Sequence, residues 1–162
     1  MLNLFIAAQL DGVTELRPTD TDEDPFEYYF KIQCARCREV HPKAISVNRL
    51  ERHQIAGSRG EANFVFKCSF CGSSSNIDLG IPKKFKPYTV DDNGRRVPFL
   101  AVEARGVDII QFIPEGPFEC KGANSRTVFH EVDISGGEWY DYDEEAGNEV
   151  SITEIAWDIS KK

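Results

Sequence analysis

Apolar and polar residues alternate along much of the chain with the two-residue period of half-buried β-strands. These runs are rich in β-branched and aromatic residues, and glycine-containing pairs that favour tight turns separate several of them. The predicted strands are residues 2–10, 28–33, 62–67, 76–79, 99–105, 127–134 and 150–158. Only residues 47–56 hint at a helix. We therefore expect an all-β fold and not an alternation of strands and helices.

Two stretches of the chain resemble each other and suggest an internal repeat. Residues 5–13 align without gaps on residues 99–107, and each copy is followed later by a Pro-Phe-Glu triplet, at 25–27 and 117–119. Strand–turn–strand segments can also match by chance. If the repeat is real, a single domain over residues 1–162 has two related halves, about 1–90 and 91–162.

Four of the five cysteines form two Cys-x2-Cys pairs, Cys34 with Cys37 and Cys68 with Cys71. A two-residue spacing lets both sulfurs point at one ion, and two such pairs complete the tetrahedral shell that Zn²⁺ prefers. Each pair follows a strand-like run, as in a zinc ribbon. We expect one structural zinc ion per chain, held by a module over about residues 28–80. A closed four-thiolate shell leaves no position for water or substrate.

The gap between the two cysteine pairs is longer than in most zinc ribbons. Doubling a loop adds only about 0.6 kcal/mol, whereas structural zinc contributes on the order of 10–16 kcal/mol in small domains. The spacing therefore does not exclude the site. Thioredoxin-like chemistry normally uses a single pair at a helix N-terminus, and neither condition holds here. Thiol redox chemistry or metal transfer by the two pairs remains the alternative function.

The other candidate catalytic residues are weaker. Cys120 has no partner motif and is expected to be a packed apolar thiol. His41 is expected to be exposed or to cap a turn, because four cysteines already complete the shell. His53 and His130 form no visible triad with a nucleophile, and no phosphate-binding glycine motif occurs. We do not expect an enzyme.

The net charge of −8 argues against broad affinity for nucleic acid or anionic membranes. The middle of the chain is nevertheless basic, with 13 Lys and Arg against 6 Asp and Glu over residues 31–96. Within it we predict that Arg49, Arg52 and Arg59 contact a protein partner. RNA binding is a less favoured alternative, based on these arginines and on the cationic and aromatic segment 83–88.

A second segment, residues 138–145, combines acidic and aromatic side chains. The favoured interpretation is a packed Trp139 beside a charged turn, and the alternative is a protein-docking patch. No apolar run reaches the roughly 18 residues of a membrane helix. The N-terminus lacks the basic leading region of a signal peptide. We expect a monomer that is not secreted and lies in the cytoplasm, with the nucleus as a second location.

Longer blocks of sequence carry a family resemblance. The blocks are residues 29–39, 57–71, 86–88, 125–127, 137–144 and 150–152, together with Gly116 and Gly122. In these the chain resembles the eukaryotic CXXC motif-containing zinc-binding protein family over nearly its full length. The resemblance implies an elongated β-sandwich-like body of two related halves, one zinc site and no established catalytic activity. Cys120 departs from the family pattern. We expect a non-enzymatic protein-binding or adaptor module.

Overall fold

The computed structural model describes residues 1–83 and 85–161, and its regular structure is almost entirely β-strand. The strands are β1 (Leu2–Asp11), β2 (Val13–Pro18), β3 (Tyr28–Cys34), β4 (Ile45–Val47), β5 (His53–Gln54), β6 (Glu61–Ala62), β7 (Phe64–Lys67), β8 (Ser74–Gly80), β9 (Val97–Arg105), β10 (Val107–Ile113), β11 (Phe118–Gly122), β12 (Val128–Val132), β13 (Trp139–Asp143) and β14 (Asn148–Ser160). A 3-10 turn, Val90–Asp92, lies between β8 and β9. The all-β prediction is confirmed. Within the described part of the chain, no helix has the length and apolar character needed to cross a membrane.

The strands form one long sheet and three small ones. The long sheet has the order β13-β14-β1-β9-β8-β7, with antiparallel neighbours throughout. Two three-stranded sheets have the orders β10-β3-β4 and β12-β11-β2, and β5 and β6 form a separate two-stranded ribbon. The long sheet therefore runs through both halves of the sequence, with β1 and β9 side by side at its centre.

The topology repeats between the halves. In each half a long-sheet strand reaches a glycine with positive φ and continues into a small sheet, through Gly12 (φ 76°) after β1 and Gly106 (φ 78°) after β9. A Cβ on either glycine would approach a neighbouring atom to 2.8 Å, so both the conformation and the space require glycine. The small sheets exchange strands, because β2 pairs with β11 and β10 pairs with β3. The aligned glycines of the repeat thus mark equivalent strand junctions.

A shared core joins the interleaved halves. Phe112 on β10 contacts Phe30 on β3, with ring centroids 5.7 Å apart, and Trp157 on β14, at 4.9 Å. Leu4 and Leu100, which pair at the centre of the long sheet, are fully buried. Since each half supplies strands to the other's small sheet, neither half closes its core alone.

The predicted strands all correspond to strands of the structure, although β2, β4, β5, β10, β11 and β13 were not predicted from the sequence. The hint of a helix over residues 47–56 is wrong. The side-chain oxygen of Asn48 accepts the N–H groups of Leu50 and Glu51, at 3.0 and 2.8 Å. The Asn63 amide donates to the carbonyls of Arg49 and Glu51. These side chains bind backbone groups that a helix would pair internally, so the segment forms a turn.

Candidate metal centre

Two turns of the same backbone design carry the four paired cysteines. Cys34 ends β3 and Cys37 follows it in the first cysteine turn, residues 34–39; Cys68 and Cys71 lie in the second cysteine turn, residues 68–73, which joins β7 to β8. In each turn the N–H of the first cysteine donates to the carbonyl of the residue five positions later. The carbonyl of the same cysteine accepts from the N–H of the residue four positions later. These bonds are Cys34 to Glu39 (2.9 Å), Arg38 to Cys34 (3.0 Å), Cys68 to Ser73 (2.9 Å) and Gly72 to Cys68 (2.9 Å). Tight closure turns both sulfurs of a pair to the same side.

The two turns differ at the position that needs a left-handed backbone. Gly72 takes φ of 75° without strain, whereas Arg38 takes φ of 66° and carries the cost of a Cβ there. The Arg38 carbonyl accepts a hydrogen bond from the Gln33 amide at 2.8 Å, and its guanidinium pairs with Asp108, also at 2.8 Å. These contacts hold the arginine in the conformation that glycine provides in the other turn.

The four sulfurs meet at one point. All of them lie within 4.8 Å of one another, and the closest pairs cross between the turns: Cys34 to Cys71 and Cys37 to Cys68, both at 3.7 Å between Sγ atoms. A tetrahedron with metal–sulfur bonds of about 2.3 Å has sulfur–sulfur edges of about 3.8 Å. All five cysteines are free thiols. The donor set and its spacing therefore fit one zinc ion.

The electrostatics of the cluster also favour a bound cation. The N–H of Cys37 and the hydroxyl of Ser73 lower the pKa of Cys34 to about 6. At Cys37 the N–H of Glu39 favours the thiolate, but desolvation and the three neighbouring sulfurs outweigh it and raise the pKa to about 12. Four thiolates thus cannot lie this close together unless a positive ion balances their charge.

Residues around the cysteines complete the site. The Ser73 hydroxyl lies 3.4 Å from the sulfur of Cys34 and 3.1 Å from that of Cys71, where it can donate to a metal-bound thiolate. The ring of His41 lies outside the cluster: it packs edge-on against Phe66 at 5.0 Å, and its Nδ1 donates to the Lys43 carbonyl at 2.7 Å. Cys34 and Cys68 are buried, whereas Cys71 is exposed.

Comparison with known proteins agrees with this site. Residues 3–160 match the family described as "CXXC motif containing zinc binding protein, eukaryotic", and the chain belongs to that family. A UPF0587 protein of Schizosaccharomyces pombe is 43% identical over 98% of this chain and 96% of its own length. A human protein with the family's name is 31% identical over the same shares of the two chains.

Solved structures have the same fold. A crystal structure of C1orf123 superposes with a TM-score of 0.87 at 31% identity and covers 99% of both chains. A hypothetical protein from Plasmodium falciparum superposes with a TM-score of 0.85 at 25% identity, over 98% of both. The chain is therefore a zinc-binding protein with one four-cysteine site and a fold that its relatives share.

The three arginines predicted to contact a partner occupy different environments. Arg49 donates from Nε to Asp20 at 2.6 Å, and both side chains are largely buried. Arg52 pairs with Asp78 at 3.3 Å and with Glu61 at 3.6 Å. Arg59 is exposed at a turn. Two of the three guanidinium groups thus hold residues 48–63 against the rest of the molecule, and the partner-binding role stays a prediction.

The segment behind the RNA-binding alternative is less open than the sequence suggested. Tyr88 is buried, and its hydroxyl donates to the carbonyls of Asp92 and Arg95, at 2.6 and 2.8 Å. Lys86 pairs with Asp92. Lys84 lies outside the described residues. The ring of Tyr88 belongs to the core and offers no face on which a base can stack, and RNA binding stays the less favoured alternative.

Two expectations from the second half are confirmed. Trp139 packs edge-on against Phe129 at 5.4 Å, and Cys120 is buried in the core. Burial, with Asp141 and Glu119 nearby, raises the pKa of Cys120 to about 12, so this thiol stays protonated and unreactive. Tyr140 and Tyr142 lie next to Trp139 in the sequence, but their rings are exposed. The sequence alone did not indicate this difference in burial.

A second junction, which no motif in the sequence indicated, has a backbone related to that of the zinc site. Its turns, residues 122–127 and 143–148, follow β11 and β13 as the cysteine turns follow β3 and β7. Gly122 donates to the Thr127 carbonyl at 2.8 Å, as the first cysteine of each cysteine turn donates to the carbonyl five residues later. Gly147 donates to the Asp143 carbonyl at 2.7 Å, which matches the second bond of the cysteine turns. The positions equivalent to the four cysteines are Gly122, Ser125, Asp143 and Ala146.

A buried carboxylate occupies this second junction. Asp143 accepts hydrogen bonds from the hydroxyls of Ser125 at 2.5 Å and Thr127 at 2.7 Å. The Ser125 bond, together with Thr127 and two backbone N–H groups, lowers the pKa of Asp143 despite desolvation. We call residues 122–127 with 143–148 the carboxylate junction, and residues 34–39 with 68–73 the zinc junction.

Proposed function

We propose that this zinc-binding protein is a non-enzymatic docking module whose metal holds two cysteine turns in a fixed arrangement for a protein partner. The observation that carries the proposal is Phe70, which lies between Cys68 and Cys71 and is 60% exposed. Exposed aromatic side chains on a rigid frame are typical anchors of protein interfaces. Moving a Phe side chain from full exposure to full burial contributes about 1.5–3 kcal/mol, so the part still exposed offers a fraction of that.

The zinc site favours a role in holding Phe70 in place for a partner over a role in catalysis. Cys68 and Cys71 bracket the phenylalanine, so the ion fixes the backbone on both sides of it. A preformed surface loses less conformational entropy when a partner binds. Since the four thiolates fill the tetrahedral shell, the metal has no position for a substrate. These features favour binding over catalysis.

The charge around Phe70 suggests the chemistry of the partner. Arg36 in the first cysteine turn and Lys67 at the end of β7 are both exposed. Arg59 is exposed on residues 48–63, whose β5 lies against β7. We propose that Phe70 and Arg59 contact an acidic protein surface with an apolar residue at its centre. Arg49 and Arg52 contribute by holding residues 48–63 in place.

The test is affinity capture with the zinc-loaded full chain and matched variants. The parent protein is expected to retain a protein that Phe70→Ser loses and that Arg59→Glu retains more weakly. Ile110→Ser, which removes another exposed apolar side chain from β10, serves as the control and is expected to retain it. Each variant must still hold one equivalent of zinc. Equal capture by Phe70→Ser and Ile110→Ser would reject the docking role.

A second candidate, metal transfer, is favoured by the exposure of Cys71. A competing thiol or chelator can reach this ligand first, whereas Cys34 and Cys68 are shielded. Stopped-flow transfer of zinc to a coloured chelator distinguishes the candidates. Transfer within seconds, slowed by covering the site with a captured partner, supports a transfer role. Zinc that stays bound for hours in excess chelator contradicts it.

A further inference from the structure

The two outer strands of the long sheet occupy equivalent places but differ in exposure. In β7, Phe64 pairs with Ile77, and in β13, Trp139 pairs with Ile152. The next residue along β7, Val65, is half-buried, whereas its counterpart Tyr140 is 64% exposed. The difference continues at the next position, where Phe66 is half-buried and Asp141 is exposed, and it ends at Lys67 and Tyr142, which are both exposed. The middle of β7 is thus partly covered, whereas the middle of β13 is open.

The cause is the length of the preceding connection. In the first half, residues 48–63 join β4 to β7 and include the β5–β6 ribbon, with β5 lying against β7. In the second half, residues 133–138 join β12 to β13 and contain no strand. Among the described strands, β13 pairs with β14 alone. The second half thus lacks the segment that covers the equivalent edge in the first.

The open edge has a distinct chemistry. Tyr140 and Tyr142 project on the same side of β13, because side chains two apart share a face, and Tyr142 is 50% exposed. Exposed acidic residues surround them: Glu138, Asp141, Glu144, Glu145 and Glu149. Charge alone protects an edge strand from unwanted pairing. Two exposed tyrosines are not needed for protection, but they are common where proteins bind partners.

The segment that covers β7 in the first half indicates which kind of segment fits the open edge of β13. Residues 48–63 contain Arg49, Arg52, His53 and Arg59, and Arg52 bonds to Asp78 on β8 of the same sheet. Glu51 and Glu61 offset two of these arginines, so the covering segment carries a net charge of +1 with histidine neutral, and it is attached to the sheet through the cation of Arg52. An acidic edge in the equivalent place favours a basic cover by simple charge complementarity.

We propose that the open edge of β13 is a docking site for an extended, Lys- and Arg-rich segment of a partner protein, which adds to the long sheet as a further strand. Backbone hydrogen bonds to β13 supply affinity that does not depend on sequence. Alternate cationic side chains lie over Tyr140 and Tyr142 in cation–π contact and pair with the surrounding carboxylates. This surface is separate from the zinc junction and does not depend on the role of Phe70.

The probe is a capped nonapeptide of alternating Lys and Thr, titrated into ¹⁵N-labelled, zinc-loaded full chain. Amide signals of residues 138–145 are expected to shift, and those of the zinc junction to stay unchanged. Two comparison peptides test the binding mode. Replacing Lys by Glu removes charge complementarity, and replacing alternate Thr residues by Pro removes backbone donors while keeping the charge. Both are expected to bind at least about tenfold more weakly.

Matched variants of the protein complete the test. Tyr140→Ser with Tyr142→Ser is expected to weaken binding about fivefold to thirtyfold, since each of the two cation–π contacts contributes about 0.5–1 kcal/mol at exposed sites. Glu138→Lys with Asp141→Lys is expected to abolish binding, whereas Asp22→Lys with Glu23→Lys, an equal charge change in an exposed turn, leaves it. Equal loss in both charge variants, shifts spread over the whole surface, or equal binding of the proline peptide would overturn the proposal.

Discussion

The zinc junction and the carboxylate junction close equivalent ends of the two halves with different chemistry. Both join the turn after a small-sheet strand to the turn after an outer strand of the long sheet, and each turn of the carboxylate junction shares one backbone hydrogen bond with the cysteine turns. One brings four thiol groups together. The other brings one carboxylate to two hydroxyls, Ser125 and Thr127. The backbone frame accepts either arrangement.

The difference shows how charge decides whether a junction needs a metal. Clustered thiolates repel one another, and desolvation together with the three neighbouring sulfurs raises the pKa of Cys37. A single carboxylate is satisfied by hydroxyl and N–H donors of the protein itself, as the lowered pKa of Asp143 shows. The zinc junction is therefore conditional on metal and reduced thiols, whereas the carboxylate junction is closed whenever the chain is folded.

Gly122 shows how the carboxylate junction differs from the zinc junction. Cys34 has its counterpart in Gly122, where an added Cβ would collide with Ser125 Oγ and Asp143 Oδ2. The space used by a metal ligand in one junction is filled by the hydrogen-bonded pair in the other. Sequence alignment of the halves would not reveal this, since a glycine, a serine, an aspartate and an alanine replace four cysteines.

The largest expected effect comes from Cys68→Ser. Zinc content should fall from one equivalent per chain to well below it, because one ligand of a closed shell is lost and structural zinc contributes on the order of 10–16 kcal/mol in small domains. Hydrogen exchange should accelerate by about 100-fold or more in the zinc junction and remain slow in the carboxylate junction. Cys120→Ala should keep its zinc. Equal acceleration in both junctions would show that they are not independent.

The second-largest expected effect is the binding of a second zinc ion. Replacing Gly122, Ser125, Asp143 and Ala146 together by Cys should raise the zinc content to two equivalents per chain, since these positions follow β11 and β13 as the four cysteines follow β3 and β7. A control with Ser in place of Cys at position 143 supplies three thiols and should stay near one equivalent under chelator competition. A folded four-cysteine variant that binds only one zinc would contradict the proposed equivalence.

A smaller effect is expected from Asp143→Asn. Loss of the charged acceptor should lower the Tm by about 3–6 °C at pH 7. Because the folded state lowers the pKa of Asp143, its contribution is present above the ordinary aspartate range and is lost as pH falls through the folded pKa. The Tm difference from the parent should therefore shrink below about pH 4. Asp141→Asn, an exposed neighbour, should change the Tm by less than about 1 °C at either pH.

Local sequence signals predicted the strands and the metal. Alternating apolar residues decide which face of a strand is buried, and a two-residue spacing between cysteines decides that their sulfurs can share an ion. The aligned segments around Gly12 and Gly106 also indicated a repeat, because the same crowded turn requires glycine in both copies. These are interactions within a few residues, so they can be predicted from the sequence alone.

The tertiary structure decided the features that depend on distant residues. Residues 47–56 have helical composition, but Asn63 holds two of their carbonyls. Arg49 looked free until the fold placed it against Asp20. Asp143 meets Ser125 and Thr127, and β13 lacks the cover that β7 has, only because strands from both halves interleave. Side-chain type can be read along a chain, but which charges neutralise each other depends on how the chain folds back on itself.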